Sequence, residues 1–166
     1  MNIELKKWTK EDDKALQQLC DEADRKYLSD RLPYPYTMEN ARWWLDFACK
    51  NEGKNGVFRK VLADGKVIGN ITVERLPDVR KNDGELGYLF AREYWGKGIA
   101  TEAAKLICDI AFRELSLNRL TAEVYEDNIA SRRVLEKCGF TLEGNLKGAV
   151  TKGDKVYNLL IFGKLK

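Results

Sequence analysis

Apolar positions along this chain recur with two periods, and the period switches several times. Residues 2–8 alternate, with Ile3 and Leu5 on one face, and predict a first strand. Thr9, followed by Glu11, Asp12 and Asp13, predicts a helix start with acids in its first turn; Ala15, Leu16, Leu19, Cys20 and Ala23 carry the helical spacing. Pro33 and Pro35 break regular pairing, so 28–37 reads as a loop. Thr37 fits the N-cap of a second helix through Ala41, Trp43 and Trp44, ending near 51–53. Val57–Ala63 and Lys66–Leu76 are β-rich, and Asp64-Gly65 between them is a strong hairpin signal. After a charged loop, 77–84, a strand spans 85–90, with Leu86 to Phe90 as its apolar run. A glycine-bearing loop follows, then a helix over about 99–115 on Ile99, Ala103, Leu106, Ile107, Ile110 and Ala111. Residues 120–125 alternate as a strand. Asp127-Asn128 caps a short helix through Lys137, which Gly139 ends, and 140–147 and 155–163 close the chain as strands.

The order is β, α, α, β, β, β, α, β, α, β, β, without repeats, low complexity or an interdomain linker. The 166 residues suffice for one domain, 1–166, with one substantial core. The β-α-β unit over 85–125 should be parallel and right-handed, and it meets an antiparallel sheet on its N-terminal side. The fold class is therefore α/β (α+β).

Composition removes several functions. Hydrophobic residues are 44% and charged residues 33%, ordinary for a globular protein. A formal charge of +3 is too mild to imply nucleic acid or an acidic membrane. The start lacks the apolar stretch of a signal peptide, and no apolar run approaches the ~20 residues that span a bilayer. A cytoplasmic protein with neither a nucleic-acid nor a membrane partner is expected. There is no histidine, which excludes His-based triads, His general bases and His metal ligands. Cys20, Cys49, Cys108 and Cys138 form no C-x-x-C pair, so no metal or redox site is expected. They read as buried small hydrophobes.

The segment Glu85–Ala111 carries the chemistry. A strand, a loop Trp95-Gly96-Lys97-Gly98-Ile99-Ala100 and a helix N-terminus make an anion site, because free backbone N–H groups and the helix dipole converge there. The loop is neither G-x-x-x-x-G-K-[ST] nor G-x-G-x-x-G. Its Trp95-x-x-Gly98-x-Ala100 spacing instead resembles the Gln/Arg-x-x-Gly-x-Gly/Ala loop of the GNAT acetyltransferase superfamily. A second segment, Asn128-Ile129-Ala130-Ser131 through Lys137-Cys138-Gly139-Phe140, resembles the Asn-x-Ala-Ser…Lys-x-Gly-Phe stretch of the same superfamily. Leu32-Pro33-Tyr34-Pro35-Tyr36-Thr37 and Tyr94-Trp95-Gly96-Lys97-Gly98 resemble its RimJ/RimL-type branch, named for ribosomal-protein N-terminal acetylation.

The resemblance implies a GNAT fold: a mixed, mostly antiparallel sheet flanked by helices, whose central parallel strands splay to admit acetyl-CoA. It implies acetyl-CoA binding by Leu89, Phe90, Trp95, Gly96, Lys97, Gly98, Ile99, Ala100, Thr101, Asn128 and Ser131. Trp95 departs from the usual Gln or Arg, at little loss if backbone amides hold the pyrophosphate. Asn128 also reads as a plain N-cap. By resemblance Ser131 protonates the leaving thiolate, because the Tyr that many GNATs carry four residues later is Leu135 here. Glu85 stands where many GNATs carry a base, and a surface ion-pair residue is its plainer reading. The late-hairpin Glu proposed as base in RimL-like enzymes aligns with Val150. Tyr34, Tyr36 and Tyr88 are the acceptor-site candidates, with packing as the plainer reading for the first two.

With no cysteine or serine nucleophile beside a histidine, direct attack of an amine on the thioester is expected, with an oxyanion held by a backbone N–H near Leu89. An α-amine, pKa near ~8, needs ~1 kcal/mol to deprotonate at neutral pH, whereas a lysine near ~10.4 needs nearly ~5. A weak base therefore leans toward a protein or peptide N-terminus. Small-molecule amines remain open, including polyamines that Glu22, Asp24 and Asp30 would attract. A CoA-binding module without turnover is a third reading. Dimerisation is common in the family, which leaves a homodimer open.

Overall fold

The computed structural model describes residues 1–166. Its elements are β1 (Ile3–Lys7), α1 (Asp13–Asp21), α2 (Met38–Asn51), β2 (Gly56–Ala63), β3 (Lys66–Arg75), β4 (Asp83–Phe90), α3 (Ile99–Leu115), β5 (Arg119–Tyr125), α4 (Ile129–Lys137), β6 (Thr141–Lys152) and β7 (Lys155–Leu165). They build one seven-stranded sheet in the order β1-β2-β3-β4-β5-β7-β6. Every pairing is antiparallel except β4 with β5. That pair runs parallel for only three positions, Asp83↔Arg119 to Glu85↔Thr121. Beyond Glu85 the two strands part, which is the expected splay.

Alternation assigns the two faces of the sheet. Val57, Ile71, Val73, Leu86, Leu120 and Ala122 lie in a core of 26 buried residues with Ala103, Ala104, Ile107 and Ala111 of α3. A smaller core of eight, including Leu16, Ala41, Leu45 and Phe58, lies beneath α1 and α2 on the other face. Each fully buried aliphatic side chain contributes roughly 1.5–3 kcal/mol. Helix α3 buries eight residues, so its position and that of its N-terminus are firmly set.

Local chemistry explains most boundaries. Asp64 (φ 49°) and Gly65 (φ 82°) both take the left-handed conformation that a two-residue hairpin turn of this type demands. Thr37 Oγ1 accepts from Asn40 N–H at 3.1 Å while Asn40 Oδ1 accepts from Thr37 N–H at 2.9 Å, a reciprocal cap on α2. Other boundaries differ from expectation. A single 3₁₀ turn over 10–12 precedes α1, which ends at Asp21 rather than Ala23. Strand β4 begins at Asp83 because that carboxylate accepts from Thr121 Oγ1 (2.7 Å) and Arg119 Nε (3.2 Å) on the neighbouring strand. Strand β6 runs to Lys152, well past 147, as a mostly exposed edge with register shifts at Leu142/Gly144 and Leu146/Val150. An exposed, bulged edge leaves little hydrophobic alternation to read.

Candidate active site

The loop before α3 turns on two glycines, Gly96 (φ 72°) and Gly98 (φ 77°). Gly98 is the N-cap of α3 and carries no capping side chain. The first amides of the helix, on Ile99, Ala100 and Thr101, are left for an external acceptor. A Cβ on either glycine would meet nothing within 4 Å, so the cradle above the helix end is open. Such a cradle fits the pyrophosphate of a CoA molecule. Trp95 donates its indole N–H to Phe90 O at 2.9 Å and ties the loop to the end of β4. Arg92 lies near the Trp95 ring and pairs with Asp24 at 3.7 Å; Lys97 lies over Tyr94. Both cations are exposed, so they add field rather than a fixed contact.

Along β4 the backbone alternates between its two neighbours. Leu76 N–H donates to Asp83 O and Ala91 N–H to Ile68 O, so odd-numbered residues bond toward β3. Asn118 N–H donates to Asn82 O, on the β5 side. The N–H groups of Tyr88 and Phe90 therefore point into the gap that β5 has left. The expected donor near Leu89 moves by one residue, since Leu89 N–H is turned toward β3.

Across that gap stands the first turn of α4. Asn128 Oδ1 accepts from Ser131 N–H at 3.2 Å, the expected cap. Ser131 Oγ lies 2.6 Å from the Tyr88 hydroxyl. Burial pushes the Tyr88 phenol up to about 12, and its hydrogen bond with Ser131 works the other way. Leu135 is 1% exposed and belongs to the main core.

The opposite face of β4 borders a pocket of about 190 Å³. Leu28 and Leu32 come from the loop after α1, Trp44 from α2, Asn70, Thr72 and Glu74 from β3, and Gly87 to Leu89 from β4. Trp8 Nε1 donates to Asn70 Oδ1 at 3.0 Å, which holds that amide in place. Glu85 lies directly across from Glu74 in the β3–β4 register, and Glu123 stands two residues beyond its β5 neighbour Thr121. Burial raises the Glu85 carboxyl above its ordinary range, the charges of Glu123 and Glu74 push the same way, and Arg31 and Arg80 oppose. Burial also raises Glu74, opposed by Arg31. Neither carboxylate has a hydrogen-bond or ion-pair partner.

The expected acceptor residues separate. Tyr36 is 4% exposed inside the smaller core, beside Cys20, and does not line the pocket. Tyr34 is 74% exposed, with the Arg25 guanidinium 4.7 Å from its ring centre. Tyr88 borders the pocket, but its hydroxyl is engaged with Ser131. The loop acids are also occupied: Asp24 by Arg92, Asp30 by Lys152 at 2.7 Å, and Glu22 by Gln18. The acidic surface belongs instead to Glu74, Glu85 and Glu123 on the strands. Sequence reasoning passed over Glu74, Asn70 and Thr72, although they are the polar half of the β3 alternation whose apolar half is Ile71 and Val73. No group of three or more His, Cys, Asp and Glu is arranged to hold a metal ion, and no helix is long and apolar enough to cross a membrane.

Comparison with known proteins agrees with this geometry. Residues 2–141 match the acetyltransferase (GNAT) domain family. The putative ribosomal N-acetyltransferase YdaF of Bacillus subtilis is 35% identical over 112 residues, covering 68% of this chain and 61% of YdaF. The spermidine N(1)-acetyltransferase of Escherichia coli is 35% identical over 86 residues, 52% of this chain and 46% of that enzyme. The match thus spans less than two thirds of either relative's length. Among solved structures, RimL, a ribosomal alpha-N-protein acetyltransferase in complex with coenzyme A, superposes with a TM-score of 0.89 at 19% identity, over 99% of this chain and 94% of that one. With the glycine cradle before α3, the parted β4 and β5, and a family match over most of its length, the chain belongs to the GNAT acetyltransferase family.

Proposed function

We propose that this protein transfers the acetyl group of acetyl-CoA to a primary amine, foremost the N-terminal α-amine of a protein or peptide. The observation that carries the reading is the parting of β4 from β5 beyond Glu85. It gathers the α3 amides, the free N–H groups of Tyr88 and Phe90 and the Ser131 hydroxyl around one gap. Glu85 and the pocket lie across the strand. Ile99, Ala100 and Thr101 amides hold the pyrophosphate, with Asn128 along the pantetheine arm. The Tyr88 and Phe90 N–H groups hold the oxyanion. Ser131 donates to the departing sulfur. Glu85 accepts the amine proton, and its raised pKa brings it nearer to the amine it serves.

The name of YdaF supports a protein acceptor. One observation favours a second reading, a small polycationic amine: Glu74, Glu85 and Glu123 form an acidic run across three strands beside the pocket, and the spermidine enzyme is among the relatives. A screen that reads free thiol, with peptides, polyamines and aminoglycosides as acceptors, decides between them. CoA release with N-terminal peptides and not with polyamines supports the first reading. The reverse supports the second, and no release with any amine overturns both.

A further inference from the structure

We propose that Tyr88 is a positioning residue for Ser131 that acts as the second link of a proton relay to the leaving sulfur; this rests on the reading of Ser131 as the acid. The two hydroxyls lie 2.6 Å apart, at the short end for O–H···O. Neither hydroxyl has another partner in the protein, so the pair is isolated. A serine hydroxyl owns one hydrogen. If Ser131 gave it to Tyr88, it would have nothing to offer sulfur. Tyr88 must therefore be the donor, and a phenol, being more acidic than an alcohol, is the natural one. Its bond polarises Ser131 and turns the serine hydrogen away from Tyr88, toward the gap.

The relay balances. As the C–S bond breaks, its electron pair stays on sulfur. The Ser131 Oγ–H proton passes to sulfur, the Tyr88 phenolic proton passes to Oγ, and charge rests on the phenolate instead of an alkoxide. The phenolate recovers a proton from solvent, while the attacking nitrogen loses one to Glu85 or solvent. Net, one N–H proton becomes the thiol proton of CoA. The fold makes this reach available only because β5 has left: Tyr88 is three residues past the last parallel pair, and its side chain crosses to α4.

The test is a double-mutant cycle on the whole chain, Tyr88→Phe, Ser131→Ala and both, using the best amine from the screen. Where no amine is yet in hand, slow release of CoA to water carries the same leaving-group step. Ser131→Ala should lower kcat by about 10²–10⁴. Tyr88→Phe should lower it by about 10–100-fold with KM for either substrate within about twofold, and the double variant should be no slower than Ser131→Ala. In mixtures of light and heavy water the wild-type rate should bend with deuterium content, as for two moving protons, and become linear in Tyr88→Phe. A Tyr88→Phe kcat within about twofold of wild type, losses that multiply, or a rise in amine KM alone overturns the relay while leaving Ser131 in place. Full kcat in Ser131→Ala removes the acid itself and the relay with it. A linear wild-type response overturns the relay without any variant, and no CoA release to any amine or to water overturns the enzyme reading and the relay together.

Discussion

On the proposed reading, acetyl-CoA binding depends on the backbone at Gly98. Its φ of 77° suits a residue without Cβ, and the open space above it is where a phosphate would approach. Gly98→Val places a β-branched side chain there and disfavours the backbone. We expect a folded protein whose CoA-induced rise in melting temperature is lost. An unchanged CoA affinity in folded Gly98→Val would sink the cradle assignment. Glu85 offers a second test with a definite sign. Its folded-state pKa is raised, chiefly by burial and then by Glu123, so the ionised form is worse tolerated in the folded chain than in the unfolded one. Stability is therefore lost as pH rises from the ordinary carboxyl range through the raised value. Glu85→Gln should melt higher than wild type near neutral pH, and the difference should close below about pH 4. Its amine-dependent rate should fall. A Glu85→Gln protein that melts lower at neutral pH would show the carboxylate to be a stabilising partner rather than a desolvated base.

At the scale of elements, the loop between α1 and α2 is held at two points. Its C-terminal end is fixed by the Thr37–Asn40 cap. Its middle is fixed by Lys152, whose Nζ donates to Leu28 O at 2.9 Å and to Asp30 at 2.7 Å from the far end of β6. Thr37→Ala should cost about 1 kcal/mol. That corresponds to a fall of roughly 2–4 °C in melting temperature for a chain of this size. It should also raise KM for the amine, because Leu28 and Leu32 sit on that loop, with KM for acetyl-CoA unchanged. Calorimetry and steady-state kinetics check the two halves separately. The cap was legible because a cap is local: Thr37 and Asn40 are three residues apart. The Lys152 contacts span more than 120 residues and left no trace in the pattern.

For the whole molecule, acceptor choice follows from what surrounds the amine. Glu85 is the carboxylate in the last parallel pair before the splay, there is no histidine, and Val150 occupies the late-hairpin position. Such a site favours an amine already partly neutral. A peptide with both an N-terminus and a lysine should be acetylated at the α-amine at about pH 7, and the preference should narrow toward about pH 9.5 as the lysine deprotonates. Mass spectrometry of the product at both pH values reads this directly. Exclusive lysine acetylation at the lower pH would mean that the clustered carboxylates act as a strong base.

The chain alone determined whatever depends on neighbours in sequence. It specified the order of elements, the Asp64-Gly65 turn, the Thr37 and Asn128 caps, and a glycine loop poised before a long amphipathic helix. Each is a matter of backbone preference or periodicity over a few residues. Only the tertiary structure decided which long-range partners those pieces meet. It parted β4 from β5 after three pairs, and so brought Tyr88 against Ser131, 43 residues away. It set Glu74 beside Glu85 through the β3–β4 register, and it buried Tyr36 where the local pattern had left it free to face a substrate. These outcomes turn on strand register and on which face a side chain takes. Register is settled by the packing of whole elements, α3 on one face and α1 with α2 on the other, and no single segment of sequence contains it.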